Sequence, residues 1–242
     1  MQLISQMGQI WESAGLTLWT KPYEIIATGP NCGLIEAITD SMSIHAVKEK
    51  VGPNATLRDY FTKEFGDVKS DRYKKARDNF CNSLAAYSLI TYILQVKDRH
   101  NGNIMIDMEG HLSHIDFGFL LSNAPGKGFS IEKDVPFKLT QEMVDVLGGD
   151  HSKKFNDFRQ RMALGFMALQ ENAERIIILV EMMLNGQSEL PCFIGGRALV
   201  RELKERLFPN MRRLSANEAQ QHVDELIAQS NNNWRTRCYD KF

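Results

Sequence analysis

The run Lys97-Asp98-Arg99-His100-Asn101-Gly102-Asn103 and, thirteen residues after Asn103, Asp116-Phe117-Gly118 concentrate the reactive side chains of this chain. Asp98 precedes Asn103 by five positions. An amide oxygen at Asn103 and a carboxylate at Asp116 are hard donors, and magnesium takes few protein oxygens because it keeps water and phosphate in its shell. Asp98 and His100 are both able to receive a hydroxyl proton, the first as an orienting carboxylate and the second as a group that titrates near neutrality. Residue type alone leaves the two competing. Arg99, between them, suits a loop organiser that pairs with Asp116 or a loop carbonyl better than it suits a phosphate contact. Two metal ligands and a base are the equipment of phosphoryl transfer, in which positioning and charge compensation take the place of covalent chemistry.

Two apolar pieces, Ile104-Met105-Ile106 and Leu112 to Ile115, flank Glu109-Gly110, so a hairpin is expected to hold Asn103 and Asp116 at its two ends. Upstream, Leu3, Ile4, Met7, Ile10 and Trp11 recur at helical spacing. Leu18 to Thr20, Tyr23 to Thr28 and Cys32 to Glu36 read as strands of an antiparallel meander that turns at Gly29-Pro30-Asn31. From Ser43 the period becomes helical, with apolar stripes over 46–49, 57–65 and 73–95. After Pro136 helices are expected over 140–147, 153–172, 174–185, 194–207 and 215–229, the last opened by the capping box Ser215-x-x-Glu218. His114 either supports Asp116 or packs in its strand, while His45, His111, His151 and His222 read as structural.

A chain of 242 residues with 43% apolar composition can bury a full core, as one large domain or two small ones. A net charge of −1 gives no global attraction to nucleic acid or to an anionic membrane. Cys32, Cys81, Cys192 and Cys238 form no C-x-x-C pair, which reads as packed thiols in a reducing compartment rather than a disulfide framework or a zinc site. The chain opens on no charged and then apolar leader, and its longest apolar run, Ile176 to Val180, is far too short to span a bilayer. It reads as soluble or peripheral.

Asp-Arg-His, in place of the His-Arg-Asp of protein kinases, together with the whole run from Val96 to Met105 resembles the phosphatidylinositol 3- and 4-kinase superfamily. Gly110-His111, residues 114–119, Phe137-Lys138-Leu139-Thr140, residues 144–149, Leu190-Pro191-Cys192-Phe193 and residues 203–206 resemble its type III phosphatidylinositol 4-kinases, the beta form in particular. Ile10-Trp11-Glu12, Lys21-Pro22-Tyr23, residues 33–36 and Ser43-Ile44-His45 extend the likeness upstream. The resemblance implies an α+β, protein-kinase-like bilobal fold. Residues 1–38 would be an incomplete antiparallel small lobe with the hinge, and residues 39–242 a mainly helical large lobe with its catalytic loop at 96–105 and activation loop at 116–140.

The same resemblance implies transfer of the ATP γ-phosphate, with Mg2+ or Mn2+, to the 4-hydroxyl of phosphatidylinositol in a membrane surface. It implies a cytoplasmic protein, peripheral on Golgi or other internal membranes, with no nucleic-acid partner. Asp98, Arg99 and His100 would be the catalytic group and Asn103 and Asp116 the metal ligands. Adenine would lie against Ile35 at the back, Glu36, Ala37 and Ile38 on the hinge, Met105 beneath and Ile115 beside the metal aspartate, an apolar sandwich with few polar fixings. Lys127, Lys133 and Lys138 are the candidates for meeting the lipid headgroup, and Glu132 and Asp134 nearly cancel them. A lipid already carrying ring phosphates would call for a run of Lys or Arg, so the balance favours unphosphorylated phosphatidylinositol.

The family's phosphate-covering loop, strand lysine and acidic helix residue have no counterpart in this chain. Lys21 matches a different lysine beside proline, and the resemblance places Met1 within the acidic helix and residues 234–242 at the start of the last one. An N-terminally truncated catalytic domain is therefore expected, weakly active or inactive alone and with exposed strand edges. Two other readings are a shortened kinase lobe serving as a regulatory or binding module, and a related protein kinase. Leu190-Pro191-Cys192-Phe193 speaks against the latter.

Overall fold

The structure is a computed structural model that describes residues 1–30, 32–52, 54–123 and 135–238, with side chains through residue 236. In chain order these residues form α1 (Gln2–Ser13), β1 (Ile25–Gly29), β2 (Cys32–Ile35), β3 (Ser41–Ser43), α2 (Ile44–Val51), α3 (Leu57–Phe65), α4 (Asp71–Leu94), β4 (Ile104–Asp107), β5 (Leu112–His114), α5 (Gln141–Leu147), α6 (Lys153–Glu171), α7 (Ala173–Gly186), α8 (Arg197–Leu207), α9 (Ala216–Ser230) and α10 (Trp234–Cys238). The architecture is α+β, mainly helical, with two small antiparallel sheets of order β1-β2 and β3-β4-β5.

The long helix α4 is the axis of the core. Ser70 caps its start by accepting from Tyr73 N–H, and Gln95 ends it in the left-handed region at φ 51°. Only one face, at Tyr73, Ala76 and Phe80, is covered near its beginning, whereas almost every residue from Ser83 to Thr91 is buried. A helix covered all round must be central, and α4 packs on both α6 and β5. Helix α6 in turn packs on α9, where Arg159 forks onto Asp224 at 2.7 and 2.5 Å.

Two features depart from the sequence expectations. Leu18 to Thr20 form no strand, because side chains rather than a neighbouring strand hold this segment. Leu18 is buried beside Gly165, Trp19 stacks on His111 at 4.1 Å, and the Lys21 N–H donates to the Tyr87 hydroxyl at 3.1 Å. Helix α1 lays Leu3, Ile4, Met7, Ile10 and Trp11 against α6 and α7. Trp11 Nε1–H donates to the Gly165 carbonyl at 3.0 Å, an approach that a side chain at Gly165 would obstruct. The second departure is Cys32, an exposed thiol rather than a packed one, while burial lifts the Cys81 thiol to about 11. The capping box at Ser215 is formed, its amide donating to Glu218 Oε2 at 2.9 Å.

Candidate active site

Antiparallel pairing of β4 with β5 sets Ile104 opposite His114, and the Ile115 N–H donates to the Asn103 carbonyl at 3.1 Å. Asn103 and Asp116 thus sit at the same open end of one hairpin. Its closed end is riveted to α4. Leu112 N–H donates to Ser83 Oγ at 2.8 Å, Asn79 Nδ2 to the Glu109 carbonyl at 2.9 Å, and Gly110, at φ 88°, lies so close to Ala76 that a Cβ would meet its carbonyl oxygen at 2.8 Å. Burial alone would raise the Asp107 carboxyl, but hydrogen bonds from His111 and from the Glu109 amide outweigh it and hold the group below 3.8. Short strand β3, too brief to carry a readable period, completes the sheet against β4.

Arg99 joins the two motifs. It is 2% exposed, and its guanidinium donates to the carbonyls of Lys97 at 2.9 Å and Ile115 at 2.8 Å and to the carbonyl of Asp116. Its other face lies over the Phe117 ring, 5.6 Å from the centroid. Between the backbones, Lys97 N–H donates to Phe119 O at 2.9 Å and Leu121 N–H to Leu94 O at 2.7 Å. Asp98 and Asp116 both occupy the left-handed region, at φ 63° and 55°. Asp tolerates that region better than most residues, and such backbone persists where surrounding bonds over-determine it.

Asn103 is buried and its Nδ2 donates to the Asp98 carbonyl at 3.0 Å, which fixes the amide so that Oδ1 is the atom that could meet a cation. Asp116 Oδ1 accepts from Gly118 N–H at 3.1 Å. Among the described residues no group of three or more His, Cys, Asp or Glu converges to hold an ion alone. One amide and one carboxylate fit a magnesium ion that shares its shell with phosphate and water. His100 Nδ1 accepts from Gly102 N–H at 3.1 Å, so the neutral ring carries its proton on Nε2, 4.0 Å from Asp98 Oδ2. His114 is buried and stacks on Tyr87 at 4.9 Å; burial, with the Arg99 and Lys138 charges beside it, pushes its pKa well below 6.5.

A cavity of about 610 Å³ opens between the β1–β2 hairpin and this site, lined by Ile25, Ile35, Glu36 and Ile38 on one side and Met105, Ile115, Asp116 and Phe117 on the other. Ile35, Glu36, Ile38, Met105 and Ile115 are thereby brought together; Ala37 is exposed and is not part of the wall. Met1 and Tyr23 complete the lining. Burial raises the Tyr23 pKa, opposed by its contact with the Asp116 backbone. In the sequence Tyr23 reads as a strand aromatic, and its place in Lys21-Pro22-Tyr23 is the one sign of a further role. Of the loop lysines, Lys127 and Lys133 lie outside the described residues. Lys138 is buried, with its Nζ on Asn101 Oδ1 at 3.0 Å.

With this geometry in view, comparison with known proteins is direct. Residues 1–193 match the family described as phosphatidylinositol 3- and 4-kinase. The chain belongs to that family. Over its full length it is 44% identical to "Phosphatidylinositol 4-kinase" of Dictyostelium discoideum, 44% to "Phosphatidylinositol 4-kinase beta 2" of Arabidopsis thaliana and 41% to "Phosphatidylinositol 4-kinase beta" of Xenopus tropicalis. It spans 20%, 21% and 29% of the lengths of these relatives. The α+β arrangement is that of a kinase-like catalytic domain. Among the described residues no helix is long and apolar enough to cross a membrane.

Proposed function

We propose that this chain is the catalytic-domain portion of a 1-phosphatidylinositol 4-kinase, transferring the ATP γ-phosphate to the 4-hydroxyl of phosphatidylinositol at the cytoplasmic face of Golgi or other internal membranes. The observation that carries the reading is the largely apolar cavity whose lining ends on Asp116. The Glu36 N–H is engaged by the Glu24 carbonyl at 2.9 Å, so an adenine would bond through the Glu36 carbonyl and the Ile38 amide. Ile35, Met105 and Ile115 would enclose its faces. Asn103 and Asp116 would hold magnesium, which when bound compensates charge on the phosphates. Lys127 and Lys133 would meet the headgroup.

For the proton, the arrangement favours Asp98. His100 Nδ1 is occupied by Gly102 N–H, so for the ring to accept at Nε2 it must first give up the proton it carries there. Asp98 needs no such change and sits beside Nε2–H, which can donate to the acceptor or to phosphate. The names of the relatives support a lipid rather than a peptide acceptor. The test is an assay of the full-length protein on phosphatidylinositol vesicles and on peptides, with Asp116→Asn as control. Asp116-dependent phosphorylation of the lipid 4-hydroxyl is expected; phosphorylation of peptide without lipid would overturn the reading.

A further inference from the structure

The turn that carries His100 and Asn103 is held from a second side by a residue far along the chain. Residues 135–139 are all buried, and they are fastened to the end of α9. Phe137 N–H donates to Ser230 Oγ at 3.3 Å, Asn232 N–H donates to the Leu139 carbonyl at 2.8 Å, and Leu139 bridges Asn231 in parallel. Thr140 then caps α5 by accepting from Met143 N–H. From this fixed segment Lys138, 5% exposed, sends its Nζ across 37 residues of sequence to Asn101 Oδ1, within the 3-10 turn Asn101–Asn103. A buried ammonium is costly unless it is hydrogen-bonded, and the Asn101 contact contributes to offsetting that cost.

We propose that Lys138 is a positioning residue of the phosphoryl-transfer site: by holding Asn101 it sets the turn that presents His100 and Asn103, and ties that turn to the end of the segment running from Asp116. The inference rests on the kinase reading above and deepens it. A lysine that reads a headgroup keeps its ammonium in the substrate space, whereas this one is spent on a side chain of the catalytic loop. Asn103 lies two residues beyond Asn101, and its amide donates to the His100 carbonyl at 2.9 Å, so a shift of Asn101 reaches both functional side chains. Displacements of about 1 Å in such a site cost as much as 100-fold in rate.

The test is a kinetic cycle in the full-length protein, with ATP turnover measured with and without phosphatidylinositol vesicles for wild type, Lys138→Met, Lys138→Gln, Asn101→Ala and the double variants. Lys138→Met should lower kcat by about 10- to 100-fold while leaving the KM for ATP and for phosphatidylinositol within about twofold. Lys138→Gln, still a donor, should recover part of the loss. Each double variant should lose less than the product of its parents' losses, because the Lys138–Asn101 contact is common to both changes. An unchanged kcat, a raised KM for phosphatidylinositol at normal kcat, or losses that multiply would overturn the proposal. Should Lys138→Met fail to fold, the Lys138→Gln and Asn101→Ala arm is read in the same way. If wild type hydrolyses ATP in an Asp116-dependent manner but leaves phosphatidylinositol untouched, the substrate reading fails while the Lys138 cycle is still decided on hydrolysis.

Discussion

The two hairpins that face each other across the cavity are built alike and buried oppositely. In β1–β2 every residue but Gly29 is exposed, including Ile25, Ile26, Leu34 and Ile35 at 53–69%. In β4–β5 the pattern is buried throughout β5 and alternating in β4. Apolar sequence is common to both, so composition does not decide burial; what packs against the strands does. The β1–β2 hairpin is held mainly by its own ladder, Ile25 opposite Ile35 and Ile26 opposite Leu34, and by Glu24 N–H on Glu36 Oε2 at 2.9 Å. A lone two-stranded ribbon is marginal in water, whereas β4–β5 is anchored in α4. The candidate metal and base residues are therefore carried on a hairpin anchored to the core, and the proposed nucleotide wall rides on a softer element.

This contrast is easily challenged. Asp116→Asn, which keeps shape and tolerates a positive φ, should lower phosphoryl transfer by on the order of 10³-fold in the full-length protein with little change in melting temperature. An equal loss from any substitution in β1–β2 would erase the distinction. Gly110→Val places a branched side chain at φ 88° against the Ala76 backbone, and a destabilisation of about 2–3 kcal/mol, read as a drop of roughly 5–10 °C in thermal melting, is expected. Ile35→Ala on the soft side should change stability by less than about 0.5 kcal/mol, yet weaken ATP binding roughly 3- to 10-fold in a titration.

The smallest effect is one of pH in the helical body. His222 lies between Tyr92 and Phe166, and burial, opposed by Glu225, lowers its pKa below 6.5. The unfolded chain then binds the proton more readily than the native one, so this contribution is present above pH 6.5 and is lost as pH falls through the folded value. Denaturant melts across that window should lose under about 1 kcal/mol in wild type and less in His222→Phe. A hairpin probe in β1–β2 should not follow this change.

What was legible in the sequence follows the same division. Asp98, His100, Asn103 and Asp116 announce themselves because their chemistry is local to two short motifs, and α1, α3 and α4 to α9 follow from apolar spacing. Strand β3 was invisible because three residues carry no period, and Leu18 to Thr20 misled because β-branched and aromatic content describes a strand's surface rather than its partner. The side of α1 that is buried was readable, but the elements covering it were not. Lys138 illustrates the remaining limit. Arg99 reads in the sequence as a loop organiser, and its carbonyl partners agree, whereas the Lys138 charge suggests a headgroup contact and only the long-range placement of Asn101 reveals where that cation is held.

Arg99 has one more consequence. Its guanidinium spans carbonyls from both motifs, and the amides of Lys97, Asn103, Ile115 and Leu121 close a belt of backbone bonds around it. The hydrogens of these amides are therefore expected to exchange with solvent together, the Asp98 loop and the Asp116 loop opening as one cooperative unit. Losing one is losing both.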